Sequence, residues 1–224
     1  MMANPFEVWQ SVYMVGRAEV SHSYDCGIYL LDAGDLVLID SGIGLSFNKL
    51  VANIESLGFD PSKLKAILVT HAHIDHIGSL HQLRKVYGAR VIAHQLDAGA
   101  IESGKGTGAD GYGVDYAPCT VDLKLEGSEA SLWFGDCQVN VVHIPGHTPG
   151  SIAAYVDISG KRVLFGQDIH GPYLPRWGGD PKLAKKSLQK LLSLDADILC
   201  EGHFGIYQPR DTVVQYIQDY IDIL

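Results

Sequence analysis

A mixed α/β fold is the class this sequence predicts, on three observations. Short β-branched apolar runs gather in two blocks. Stretches with apolar residues three and four apart follow each block, as amphipathic helices require. The chain has 224 residues, 46% hydrophobic and 19% charged, which is enough length and apolar content for a full core. Two sheets packed together with helices outside satisfy that order.

The first block opens with residues 6–15, where Phe6, Val8, Ser11 and Tyr13 partly alternate as in a strand. Residues 16–25 are polar and turn-rich. Residues 28–31 and 36–39 read as a hairpin around Asp32-Ala33-Gly34-Asp35. Ser46 is placed to cap a helix whose Leu50, Val51, Ile54 and Leu57 share one face, and Gly58 stops it. After the Asp60-Pro61 turn, residues 65–69 form a buried strand. Residues 77–87 carry Ile77, Leu80, Leu83, Arg84 and Tyr87 at helical spacing and close at Gly88. A strand at 90–93 and a short helix at 95–102 follow.

Residues 104–118 hold five glycines among Tyr112, Tyr116 and Asp110. A loop of that length inside a compact fold reads as a mobile lid or pocket wall. The second block has strands at 123–125, 131–134 and 139–144, and a hairpin of 152–156 with 162–165. Pro181 starts a helix bearing Leu183, Leu188, Leu191 and Leu192, and residues 211–224 form a last amphipathic helix. No linker or repeat interrupts the sequence, so 1–224 is expected to be a single domain.

Chemistry concentrates in Thr70-His71-Ala72-His73-Ile74-Asp75-His76, directly after the strand at 65–69. Three imidazoles and a carboxylate within six residues are a ligand set for zinc, iron or manganese. Three more segments repeat the design of a His or Asp beside glycine just beyond a strand. They are Gly146-His147-Thr148-Pro149-Gly150-Ser151, Gly166-Gln167-Asp168 and Glu201-Gly202-His203.

Taken in order, His71-x-His73-x-Asp75-His76, His147, Asp168 and His203 resemble the metallo-β-lactamase superfamily. The resemblance runs from Leu38-Ile39-Asp40-Ser41-Gly42 to His203. It implies a four-layer αββα sandwich and two divalent metal ions, zinc first, with iron or manganese as alternatives. His71, His73 and His147 would hold one ion, Asp75, His76 and His203 the other, and Asp168 would bridge them. Two such ions can share a water and lower its pKa towards neutrality. Asp75 would also orient that nucleophile and carry a proton to the leaving group. In related lactonases a tyrosine shortly after the bridging Asp binds the carbonyl oxygen, which makes Tyr173 a second catalytic candidate. Asp40 reads equally as a brace for the site and as a strand-end turn carboxylate. Thr70, Thr148 and Ser151 offer hydroxyls either to the ligands or to local turns.

Of the remaining histidines, His81 falls on the outer face of its helix, and His94 and His143 read as satisfied core or loop groups. His22 lies in a loop that often lines the pocket in this family, and His170 follows Asp168 closely.

Several function classes are excluded or weakened. A formal net charge of −9 works against nucleic-acid binding. No apolar run spans a membrane, and residues 1–10 lack a basic signal-peptide start. Cys26, Cys119, Cys137 and Cys200 are widely spaced with no CxxC, as expected of free thiols in the cytoplasm. True β-lactamases of the superfamily usually lack the bridging Asp. Glyoxalase II adds a helical domain for glutathione, whereas 21 residues follow His203 here. The expectation is a cytoplasmic hydrolase of an uncharged or weakly anionic ester, thioester or lactone of a small molecule. The pocket would be lined by Trp177, Tyr112, Tyr116 and Tyr173, with Lys105 and Arg176 the sole cations nearby. A mononuclear non-heme iron persulfide dioxygenase is the alternative enzyme, although His170-Gly171-Pro172-Tyr173 departs from its usual segment. A non-catalytic metal-sensing module is the alternative outside catalysis. Such folds commonly form homodimers.

Overall fold

A computed structural model describes residues 2–224. The first sheet holds seven strands side by side in chain order. They are β1 (Phe6–Trp9), β2 (Val12–Gly16), β3 (Ile28–Asp32), β4 (Leu36–Ile39), β5 (Leu64–Leu68), β6 (Arg90–His94) and β7 (Leu123–Leu125). Pairing is antiparallel from β1 to β4 and parallel from β4 to β7. The second sheet holds β8 (Glu129–Phe134), β9 (Cys137–His143), β10 (Ile152–Ile158), β11 (Lys161–Gln167), β12 (Ile198–Glu201) and β13 (Ile206–Tyr207). Of its pairs only β11–β12 is parallel.

The helices are α1 (Phe47–Ser56), α2 (Ile74–Ile77), α3 (Leu80–Tyr87), α4 (Gln95–Ser103), α5 (Ala109–Tyr112), α6 (Pro181–Ser193) and α7 (Arg210–Ile223). Strand alternation sorts the core into three layers. Leu31, Val37, Ile39 and Leu68 meet Val139, Val141, Val156 and Phe165 between the sheets. Leu30, Leu38 and Ile67 point the other way, onto Leu50 and Ile54 of α1 and Leu80 and Leu83 of α3. Val142, Ala153, Leu164 and Leu199 cover the outer face of the second sheet with Leu188, Leu191, Val213 and Ile217. Helix, sheet, sheet, helix is the predicted αββα sandwich. Both faces of each central strand are buried, so those strands read as continuous apolar runs.

Local structure differs from the sequence reading in several places. Residues 6–15 form the hairpin of β1 and β2, because Ser11 adopts φ 66° and reverses the chain. The helix expected over 77–87 breaks into α2 and α3. Gly78 packs so closely on the neighbouring loop that a Cβ there would lie 2.1 Å from the Ile43 carbonyl carbon. The loop at 104–118 contains α5, bounded by Gly108 and Gly113 in left-handed conformation. Ser46 precedes α1, but its hydroxyl makes no capping bond.

Candidate metal centre

Every predicted ligand lies beyond the C-terminal end of a strand. β5 leads to His71, His73, Asp75 and His76, β9 to His147, β11 to Asp168 and β12 to His203. The parallel pairs β4–β5 and β11–β12 bring like ends to one rim. There the side chains converge in two overlapping groups.

In the first group, His73 Nδ1 stands 3.1 Å from His71 Nε2 and 2.9 Å from His147 Nε2. Tetrahedral nitrogen ligands about 2.0–2.1 Å from a zinc ion stand roughly 3.3 Å apart, so the trio has near-ligand spacing. In the second group, His203 Nε2 is 3.2 Å from Asp75 Oδ2, and His76 Nε2 is 3.8 Å from the same oxygen. Asp168 lies between the groups: Oδ2 is 3.3 Å from His147 Nε2 and Oδ1 is 3.3 Å from His76 Nε2. His76 Nε2 and Asp168 Oδ1 are buried without a hydrogen-bond partner among the described residues. The two stand 3.3 Å apart without hydrogen-bond geometry, the spacing of two ligands on a shared cation. Imidazoles and carboxylates at this spacing are a donor set that fits divalent metal ions.

Neighbouring groups orient the rings. His76 Nδ1 donates to Asp40 Oδ2 at 2.8 Å, which leaves Nε2 free to face the site. The Thr70 hydroxyl donates to the same oxygen at 2.7 Å, and Thr70 N donates to Asp40 Oδ1 at 2.8 Å. His147 Nδ1 donates to the Pro172 carbonyl at 3.1 Å. Asp97, at the start of α4, accepts from Ala72 N at 2.9 Å, Thr148 Oγ1 at 2.7 Å and Gly150 N at 2.7 Å. It thereby ties the loop of His71 and His73 to that of His147. Asp40 is thus a brace, while Thr148 acts through Asp97. Ser151 Oγ accepts from Thr148 N at 2.9 Å, closing a local turn. Gly202 lets the last loop approach Asp168, since a Cβ there would sit 2.2 Å from Asp168 Oδ1.

Electrostatics divide the two groups. Burial, then the charges of His76 and His147, holds His71 well below the ordinary histidine range. Burial and His147 push His73 down to about 4. These two rings stay neutral, as ligation requires. Burial opposes charge on His203, but Asp168 and Asp75 raise it to about 10. Burial would likewise raise Asp168, yet His76 and His203 hold it well below the carboxylate range.

His73, Asp75, His147, Asp168 and His203 line a cavity of about 550 Å³. Its walls include Tyr112, Trp177, His170 and Phe204, and among the described residues no lysine or arginine lines it. Tyr116 is directed elsewhere, its hydroxyl donating to the Ile101 carbonyl at 3.0 Å. Tyr173, expected as an oxyanion donor, gives its hydroxyl to the Ile169 carbonyl and is absent from the cavity wall. His22 does not line the cavity, and its Nδ1 accepts from Tyr24 N. Lys105 is exposed outside the wall, and Arg176 lies over the Trp177 ring at 4.6 Å. His81 is exposed, and His94 stacks on His143 at 3.9 Å. The sequence reading missed Asp97, Phe204 and the pairing of His170 with Glu201. Asp97 lies between apolar residues of a short helix, with no motif to mark it.

The profile of the metallo-β-lactamase superfamily matches residues 25–203. The chain belongs to that superfamily. With that membership comes metal-dependent hydrolysis as the coarse function. Among curated relatives, the probable metallo-hydrolase YqgX of Bacillus subtilis is 32% identical over 185 residues, 78% of this chain and 83% of its own. The hydroxyacylglutathione hydrolase GloC of Haemophilus influenzae is 28% identical over 191 residues, 82% and 86% of the two chains. The subclass B3 metallo-β-lactamase BJP-1 of Bradyrhizobium japonicum has a similar fold, with TM-score 0.83 and 22% identity, covering 99% of this chain and 92% of that one. Among the described residues no helix is long and apolar enough to cross a membrane.

Proposed function

We propose that this protein is a binuclear hydrolase that cleaves a carboxylic ester, thioester or lactone of a small molecule. The observation that carries this reading is Asp168, whose two carboxylate oxygens face His147 on one side and His76 on the other. His71, His73 and His147 would hold one ion, Asp75, His76 and His203 the second, and Asp168 both. When bound, such ions acidify a water and polarise a carbonyl.

The chain's own residues supply the rest. Asp75 lines the cavity beside His203, where its carboxylate can take a proton from an attacking water and return it to the leaving oxygen or sulfur. Asp40, through His76, and Asp97, through the two loops, hold the ligands in place before substrate arrives. Trp177 and Tyr112 present aromatic faces to an acyl group. Relatives are named hydroxyacylglutathione hydrolases. Glutathione carries two carboxylates, however, and a wall with no lysine or arginine among the described residues favours an uncharged or weakly anionic substrate over it.

Elemental analysis of protein purified without added metal tests the reading. About two zinc ions per chain are expected, together with hydrolysis of aryl esters or lactones that a chelator abolishes and zinc restores. One iron per chain with oxygen uptake on a persulfide sinks the proposal, as does turnover confined to phosphodiesters.

A further inference from the structure

His170 and Glu201 form a pair that the proposed ligand set does not use. Glu201 is fully buried, whereas His170 belongs to the cavity wall with 17% of its side chain exposed. Glu201 Oε2 accepts from His203 N at 2.6 Å and Phe204 N at 2.8 Å. Glu201 Oε1 accepts from His170 Nδ1 at 2.9 Å. A carboxylate in this role only accepts, so the proton of the bond sits on Nδ1. The imidazole is thereby locked in orientation. Its Nε2 has no hydrogen-bond partner among the described residues.

The two ends of the cavity differ in kind. At the three-histidine end, the Trp177 ring stands against His73 with centroids 5.6 Å apart. At the other end, the His170 ring lies 5.3 Å from that of His203 and 4.6 Å from that of Phe204. One end offers an aromatic face, and the other sets a held imidazole beside the Phe204 ring, one ring away from a ligand.

We propose that His170 is a substrate-binding residue whose Nε2 hydrogen-bonds an uncharged hydroxyl or amide group of the substrate. The substrate then lies with its apolar group on Trp177 and that polar group at the His203 end. A hydroxyl both donates and accepts, so it satisfies Nε2 whichever role the nitrogen takes. No lysine or arginine accompanies His170 in the wall, which selects a neutral group over a second anion. The inference rests on the reading of the cavity as a site for acyl compounds.

Binding of two carboxylic acids to the metal-loaded protein, measured by calorimetry, tests it without requiring turnover. The probes are 3-phenyllactate and 3-phenylpropanoate, which differ by one hydroxyl. Wild type is expected to bind phenyllactate about tenfold more tightly, the scale of one well-placed hydrogen bond. H170N keeps an N–H towards Glu201 but has nothing at the Nε2 position, so it erases the preference. H170Q places an amide near Nε2 and recovers part of it. W177A weakens both probes and keeps their ratio. Equal affinities in wild type, undetectable binding of both probes, or a preference that survives H170N overturns the proposal. So does a loss of preference in H170N accompanied by loss of one metal ion per chain, which would place the effect at His203. A retained preference with no hydrolysis of the matching aryl esters would instead sink the hydrolase reading alone.

Discussion

At Asp40 a single buried carboxylate accepts from Thr70 N, the Thr70 hydroxyl and His76 Nδ1, with its backbone at φ 63°. A residue so placed is chosen for what it holds, because non-glycine residues rarely adopt that conformation without compensation. D40N exchanges one acceptor oxygen for a donor. It is expected to lower zinc affinity of the Asp75–His76–His203 group by about 10- to 100-fold in competition with a chromophoric chelator. Unchanged affinity would return Asp40 to a turn role. Tyr173 gives the opposite expectation. Its hydroxyl serves the Ile169 carbonyl, so Y173F should hold kcat/KM within about twofold and lose about 1 kcal/mol of stability. A turnover rate lowered about a hundredfold or more would restore it as an oxyanion donor. The sequence order marked both residues as candidates. Separating them took the direction of each side chain, which spacing along the chain does not encode.

Helices α2 and α3 show how an element boundary can be set from outside the element. The periodicity over 77–87 is genuine, and Leu80 and Leu83 occupy the core as expected. The break at Gly78 comes from a loop about 35 residues earlier: Gly78 N donates to the Gly42 carbonyl at 2.7 Å, and no Cβ fits against Ile43. G78A places a methyl against backbone that cannot step aside. A loss of about 1–3 kcal/mol in urea unfolding is expected, and a neutral result would mean that the loop shifts at little cost. Asp97 does the corresponding work for α4. D97A leaves Ala72 N, Gly150 N and the Thr148 hydroxyl without their acceptor. Destabilisation on the order of 3 kcal/mol is expected, with zinc lost first from the His71–His73–His147 group. Equal loss from both groups would contradict a role confined to those two loops.

Across the whole molecule, His73 and His203, one from each ligand group, respond to pH in opposite senses when metal is removed. His73 falls to about 4 from 6.5, chiefly through burial. Between those values the unfolded chain takes up a proton that the native site refuses, so stability declines as pH drops from about 6.5 to about 4. His203 rises to about 10, because Asp168 and Asp75 outweigh burial. Its contribution is fully present below about 6.5 and is lost as pH climbs towards 10. Thermal unfolding of chelator-treated protein should therefore show greatest stability near pH 6.5 and a fall on both sides. Added zinc competes with both protons, so its stabilisation should be larger at pH 8 than at pH 5. A metal-free melting temperature that rises steadily to pH 9 would contradict the charge placed on His203.

By itself, the sequence determined most strands and helices, and the family its motifs resemble supplied the layer order and the seven candidate ligands. Apolar period and ligand spacing are local properties, written in neighbouring residues such as His71, His73, Asp75 and His76. Tertiary structure alone decided that Asp97 joins two ligand loops, that Gly78 divides a helix and that His170 pairs with Glu201. It also directed Tyr112 into the cavity wall while Tyr116 and Tyr173 bond to backbone. Each of these depends on which strand ends the two sheets bring to one rim. That is a matter of long-range packing, and no short stretch of chain specifies it.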